Sequence, residues 1–263
     1  MKLSYLVLFF TLLLSYNSYS NEKKFKVHTV AFYNLENLFD TINDISKRDE
    51  ASPIMEMKYN RSEVYQKKIK NLSKVISGIG FEETKSLPTI VGLCEVENKN
   101  VVQDLISSDL LKNADYGISH FESPDERGID VALIYRKNMF KILNENSAYL
   151  ELKYASGKIN YTRDQLVVEG VLENENIYII VNHWPSRSGG ELGSRPYRNK
   201  AAELNMFIID SIQSINKNAK IITMGDFNDD PTNESIKKIL GAKASRNSLK
   251  NNDLYNPWEN LHK

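Results

Sequence analysis

Gly225-Asp226-Phe227-Asn228-Asp229-Asp230 places three carboxylates and an amide directly after an apolar run that begins at Ile221. Groups of this kind, so close together, suit binding of a hard cation or proton transfer to a reacting water. Asp226 and Asn228 flank Phe227, so on an extended path both side chains face one side. A plain turn of Gly, Asp and Asn is the simplest alternative. A calcium loop is a second one, since Asp226-x-Asn228-x-Asp230 fits its start. It fails further on, because such a loop needs Gly sixth and Glu twelfth, where the sequence has Pro231 and Lys237.

Other polar groups stand at the ends of apolar runs in the same way. Asn34 follows residues 27–33, Glu95 follows 89–94, Asn182-His183 close 177–183, and Arg163-Asp164 precede 165–172. The run ending in Glu95 is continuous enough to be buried on both faces. A carboxylate there is costly unless it is paired or bound to a cation. His183 alone would read as a half-buried sheet histidine, and Arg163 as one half of a surface ion pair with Asp164. Glu36 and Glu97 read as solvent-facing acids. Cys94, the single cysteine, reads as a small buried hydrophobe, not a nucleophile.

Strands are predicted over 27–33, 89–97, 116–121, 129–136, 147–153, 165–172, 177–183 and the run from 221. Helical spacing of apolar residues predicts helices over 59–79, 100–111 and 198–215, with another over 232–240. No internal repeat or linker interrupts the pattern, so one domain is the simplest parse. Mixed strands and helices at 263 residues suggest two stacked sheets with helices outside. Basic and acidic residues balance at 34 each, which argues against a uniformly positive, nucleic-acid-coating surface.

Residues 1–20 have the order of a secretory signal: Lys2, then an apolar core from Leu6 to Leu14, then Ser18-Tyr19-Ser20. The apolar core is well short of the roughly 20 residues that span a bilayer. No cysteine follows that could carry a lipid. Export is expected, to the periplasm or the extracellular space, with residues 21–263 as the mature domain and no stable membrane anchor.

Asn34, Glu95, Arg163-Asp164, Asn182-His183 and Gly225-Asp226-Phe227-Asn228, in this order, resemble the endonuclease/exonuclease/phosphatase superfamily. The resemblance implies a four-layered α/β sandwich, two packed mixed β-sheets flanked by helices. It implies phosphate-ester hydrolysis with Mg²⁺, for which Mn²⁺ or Ca²⁺ can substitute. It implies Glu95 and Asn34 at the metal, Asp226 activating the attacking water, Asn228 donating to the phosphate, and His183 and Arg163 beside that phosphate. Asp130 and His120 are weaker matches to cleft-facing positions.

The segment from Trp184 to Arg198 follows His183 directly and holds Arg187, Arg195, Arg198 and Tyr197. Aromatics interleaved with arginines suit nucleic acid, so this segment is expected to choose the substrate. A secreted, monomeric phosphodiesterase acting on nucleic acid is the first expectation. A lipid or inositol-phosphate phosphoesterase is the second, and a non-catalytic binder the third. The superfamily pattern ends in a further strand with an Asp-His pair, and no such dipeptide follows Asn228. The sequence is therefore expected to be C-terminally incomplete, missing its last strand or strands.

Overall fold

The computed structural model describes residues 25–262. The signal-type segment 1–20 lies outside the described residues. Eight strands form two mixed sheets of four. In the first, β1 (Val30–Leu38), β2 (Ile90–Val96), β3 (Tyr116–His120) and β4 (Asp130–Arg136) lie in the order β1-β2-β4-β3, with β1 and β2 parallel. In the second, β5 (Phe140–Ala148), β6 (Gln165–Leu172), β7 (Glu175–His183) and β8 (Lys220–Asp226) lie in sequence order, with β7 and β8 parallel.

The continuous apolar runs have a direct cause, since the inner strands are covered on both faces. Ile90 and Cys94 of β2 pack inward against Leu166, Val168, Ile179 and Val181 of the second sheet. Val91 and Leu93 face the other way, onto α1 (Arg61–Gly78) and α3 (Lys99–Ile106) through Ile69, Leu72, Ile76, Val101 and Leu105. A short α2 (Phe81–Thr84) lies between these two helices in sequence. On the far side Ile180 packs against Ile208 and Ile209 of α4 (Glu191–Ile215). Helices, two sheets and a helix thus make the four layers that the sequence led us to expect.

Some elements fall elsewhere than the apolar pattern placed them. The strand expected at 147–153 is β5, mostly before that span, and 149–164 form an excursion. The helix expected at 232–240 is a single π-helical turn, Ser235–Ile239. It is pulled in by Asp229, whose carboxylate accepts from Asn233 Nδ2 at 2.9 Å and from Ser235 Oγ at 2.6 Å. Among the described residues no helix is long and apolar enough to cross a membrane.

Candidate active site

The two parallel pairs bring their carboxyl ends to one rim. Side chains alternate along a strand, and the inward set on β1 runs through Val30 and Phe32 to Asn34. The inward set on β7 runs through Ile179 and Val181 to His183, and that on β8 through Ile222 and Met224 to Asp226. By the same rule Glu95 would face the helices with Val91 and Leu93. It does not, because β2 bulges there: the register shifts between Cys94 and Val96, and Glu95 has φ of 58°. A bulge re-aims a side chain at small cost in pairing.

The result is a shared amide. Asn34 Nδ2 donates to Glu95 Oε1 and to Asp226 Oδ2, each at 3.1 Å, joining residues 61 and 192 positions apart. Asn34 Oδ1 accepts from the Glu36 N–H at 2.8 Å, and Glu95 Oε2 from the Asn37 N–H at 2.8 Å. Lys68 Nζ donates to the Glu36 carbonyl and, at 3.1 Å, to that of Asn37, which fixes this turn from below. Asp226 Oδ1 accepts from the Asn228 N–H at 3.0 Å. Gly225 is required one residue earlier, since a Cβ there would lie 2.3 Å from the Asn182 carbonyl oxygen.

His183 is buried, its Nε2 lies 3.8 Å from Glu95 Oε1, and its Nδ1 has no hydrogen-bond partner. Burial, and then Arg163 and Arg127, hold its pKa well below the ordinary imidazole value. The neutral ring is therefore favoured near pH 7, which leaves it free to make a hydrogen bond rather than to act as a cation. Among the described residues neither Glu95 nor Asp226 has a Lys or Arg ion pair. Two carboxylates against one amide, without a cation between them, fit a hard divalent ion well. Glu95 and Asp226 present oxygens for it. Asn34 would have to turn its amide by 180° to present Oδ1, and with Nδ2 toward both acids it is the brace between them. Ligand atoms of Cys94, His183 and Asp226 also lie within 4.8 Å of one another. The Cys94 thiol is buried, and burial raises its pKa, with Asp226 and Glu95 adding to the effect. It is the core residue expected.

Arg163 and Asn228 reach the rim through one carbonyl. Arg163 Nη2 donates to the Trp184 oxygen at 2.7 Å and Asn228 Nδ2 to the same oxygen at 2.9 Å. Asp164 is not the partner of Arg163. It accepts instead from Ser147 Oγ at 3.0 Å and from the Leu150 N–H at 3.3 Å, while Arg163 Nη1 pairs with Asp125 Oδ2 at 3.3 Å.

Asp125 was missed in the sequence because a polar hairpin loop gives no sign of which acid turns inward. His120 and Asp130 are buried and face each other across 3.1 Å. Asp130 Oδ1 accepts from the N–H (2.8 Å) and Oγ (2.6 Å) of Ser123, so the pair anchors the loop that carries Asp125. Neither opens to the cleft as expected for Asp130.

Glu97 is likewise no solvent-facing acid. It is buried and accepts from the Asp40 N–H at 2.7 Å. Desolvation, followed by the charges of Asp40, Asp49 and Asp44, pushes its pKa up to about 7. Glu36 remains exposed.

The 184–198 segment is mostly structural. Trp184 is 1% exposed, donates from Nε1 to Asn182 Oδ1 at 3.0 Å and meets Phe227 edge-on at 4.6 Å. Arg198 is fully buried against Asp229 at 2.6 Å. Arg187 is tied to the Asn228 carbonyl at 2.9 Å and to Asp230 at 3.0 Å. Of this set Arg187, Arg195 and Tyr197 remain partly exposed.

Comparison with known proteins bears on the family and the fold. The model of the Endonuclease/Exonuclease/phosphatase family matches residues 29–263. Nocturnin from Homo sapiens is 29% identical over 133 residues, which is 50% of this chain and 28% of nocturnin. The match thus spans little more than a quarter of that relative. An endonuclease/exonuclease/phosphatase family protein from Bacteroides thetaiotaomicron superposes with a TM-score of 0.54 at 16% identity, over 81% of this chain and 66% of that one. A humanized D. rerio TDP2 gives 0.51 at 14% identity, over 89% of this chain and 72% of that one. Both likenesses concern the fold. The chain belongs to the Endonuclease/Exonuclease/phosphatase family.

Proposed function

We propose that the protein is a divalent-metal-dependent phosphodiesterase acting on nucleic acid. The observation that carries this reading is the Asn34 amide held between Glu95 and Asp226 at 3.1 Å on each side. A hard ion at these acids, Mg²⁺ first and Mn²⁺ or Ca²⁺ as substitutes, supplies positive charge to the non-bridging phosphate oxygens. Glu95 would hold that ion, with Asn34 fixing the separation of the two acids. Asp226 orients the attacking water and takes its proton. The neutral His183 ring donates a hydrogen bond to a phosphate oxygen. Asn228 and Arg163 brace the Trp184 carbonyl, and the guanidinium adds positive potential from behind.

The direct test uses bis(p-nitrophenyl) phosphate and single-stranded DNA. Turnover is expected with Mg²⁺, lost in EDTA, and lost in Asp226→Ala without change of fold. Turnover that persists in EDTA would contradict the metal role. We further propose that residues 1–20 direct export and that the protein acts as a monomer. Fractionation of cells carrying the full gene, with sizing of the exported product, tests both. Retention in the cytoplasm would overturn the first, and a dimer the second.

A further inference from the structure

One side chain of α1 reaches the turn that ends β1. Lys68 is half-buried, and its ammonium donates to the carbonyls of Glu36 and Asn37, the second at 3.1 Å. Both of those residues are left-handed, with φ of 53° and 59°. A non-glycine residue there costs on the order of 1 kcal/mol, so two in succession persist only where their surroundings hold them. Within the turn the Glu36 N–H donates to Asn34 Oδ1 at 2.8 Å and the Phe39 N–H to the Asn37 carbonyl at 3.0 Å. Lys68 holds it from a different element, 32 and 31 positions away in sequence.

The other side of the turn meets the rim. The Asn37 N–H donates to Glu95 Oε2 at 2.8 Å. That N–H and the Glu36 carbonyl are the two ends of one planar peptide group and point in opposite directions. Lys68 grips the oxygen end and Glu95 the hydrogen end, so fixing the carbonyl aims the N–H. A charge-assisted bond to the carbonyl also polarises the N–H, which strengthens its bond to the carboxylate.

Among the described residues Lys68 has no carboxylate within ion-pair distance, so its charge is directed at these carbonyls. Burial lowers its pKa, and the charges of Glu36 and Glu95 act in the opposite sense. An ammonium between Glu95 and Asp226 would take the place of a divalent ion. Lys68 pairs with neither acid and braces one of them through a peptide. We propose that Lys68 is a positioning residue for the metal-holding carboxylate: through the Glu36–Asn37 peptide it holds Glu95 at the separation from Asp226 that a divalent cation needs. This rests on the metal reading above.

The test compares the full wild-type chain with Lys68→Met and Lys68→Gln, which remove the cation, and with Lys68→Arg, which keeps a donating one. Mn²⁺ affinity, followed by electron paramagnetic resonance, is expected to fall about tenfold or more in the two neutral variants. It is expected to return toward the wild-type value in Lys68→Arg, with folding checked by circular dichroism. Hydrogen exchange in EDTA is expected to show an Asn37 amide protected in the wild type and in Lys68→Arg, with that protection lost in the neutral variants. A lysine that only stabilised the fold would shift urea unfolding and move neither readout. Unchanged Mn²⁺ affinity in a folded neutral variant, or an Asn37 amide as protected there as in the wild type, would overturn the inference. A wild-type chain that binds no Mn²⁺, but whose Asn37 protection depends on Lys68, would leave the hold on the turn standing and overturn the metal reading instead.

Discussion

The two sheets reach the rim by different means. In the second sheet the parallel pair stays in register to its end, through Asn182↔Gly225 and His183↔Asp226. Simple alternation then delivers both side chains inward. In the first sheet the parallel pair breaks after Asn34↔Cys94 and resumes only at Leu38↔Val96. Three non-glycine residues there are left-handed, Glu36, Asn37 and Glu95, with φ between 53° and 59°. Each costs on the order of 1 kcal/mol. The strain places the Glu95 carboxylate on the side that alternation denies it, and the Asn37 N–H and Asn34 amide hold it there. A regular strand end suffices for groups that only need position. The anion that faces a second anion at the rim needs a bulge.

Substitutions can break either side of that contrast. The largest effect is expected at the regular rim. Asp226→Ala should lower kcat by about 10²–10⁴-fold while circular dichroism stays unchanged, and a loss under tenfold would remove Asp226 from the chemistry. Next, Trp184→Ala should cost about 3–5 kcal/mol in urea unfolding, because this side chain is buried among Leu150, Leu152 and Ala201 at the same rim.

A smaller effect is expected two residues beyond the bulge. Burial, together with Asp40, Asp49 and Asp44, raises Glu97 from 4.5 to about 7 in the folded state. A raised folded pKa means that its contribution is fully present below pH 4.5 and lost as pH rises through about 7. Glu97→Gln should therefore gain on the wild type over that window, by on the order of 2–3 kcal/mol in EDTA. Parallel pH–stability curves would contradict this. The smallest effect is expected at the turn itself. Asn37→Gly should change stability by under about 1 kcal/mol, whereas Asn37→Val should cost about 1–2 kcal/mol. Equal melting temperatures would show that the turn is unstrained.

Much of this was legible in the sequence, for a physical reason. Strands buried on both faces must be apolar throughout, so the polar residues that end them stand out, and Asn34, Glu95, His183 and Asp226 were all found that way. What was not legible depends on backbone irregularity or on long-range partners. No pattern announces that Glu95 turns inward through a bulge, and none shows that Glu97 is buried and accepts from the Asp40 N–H. Trp184 and Arg198 look like substrate contacts when written beside Pro185 and Arg187. Only the packing of α4 shows that one fills a core and the other neutralises Asp229.

Mn²⁺ binding, followed by electron paramagnetic resonance, tests the convergence of Glu95 and Asp226 most directly. The wild-type chain should bind the ion in competition with Mg²⁺. Glu95→Gln and Asp226→Asn, each folded by circular dichroism, should each weaken that binding by about tenfold or more. Unchanged Mn²⁺ affinity in both variants would contradict a cation site at this rim.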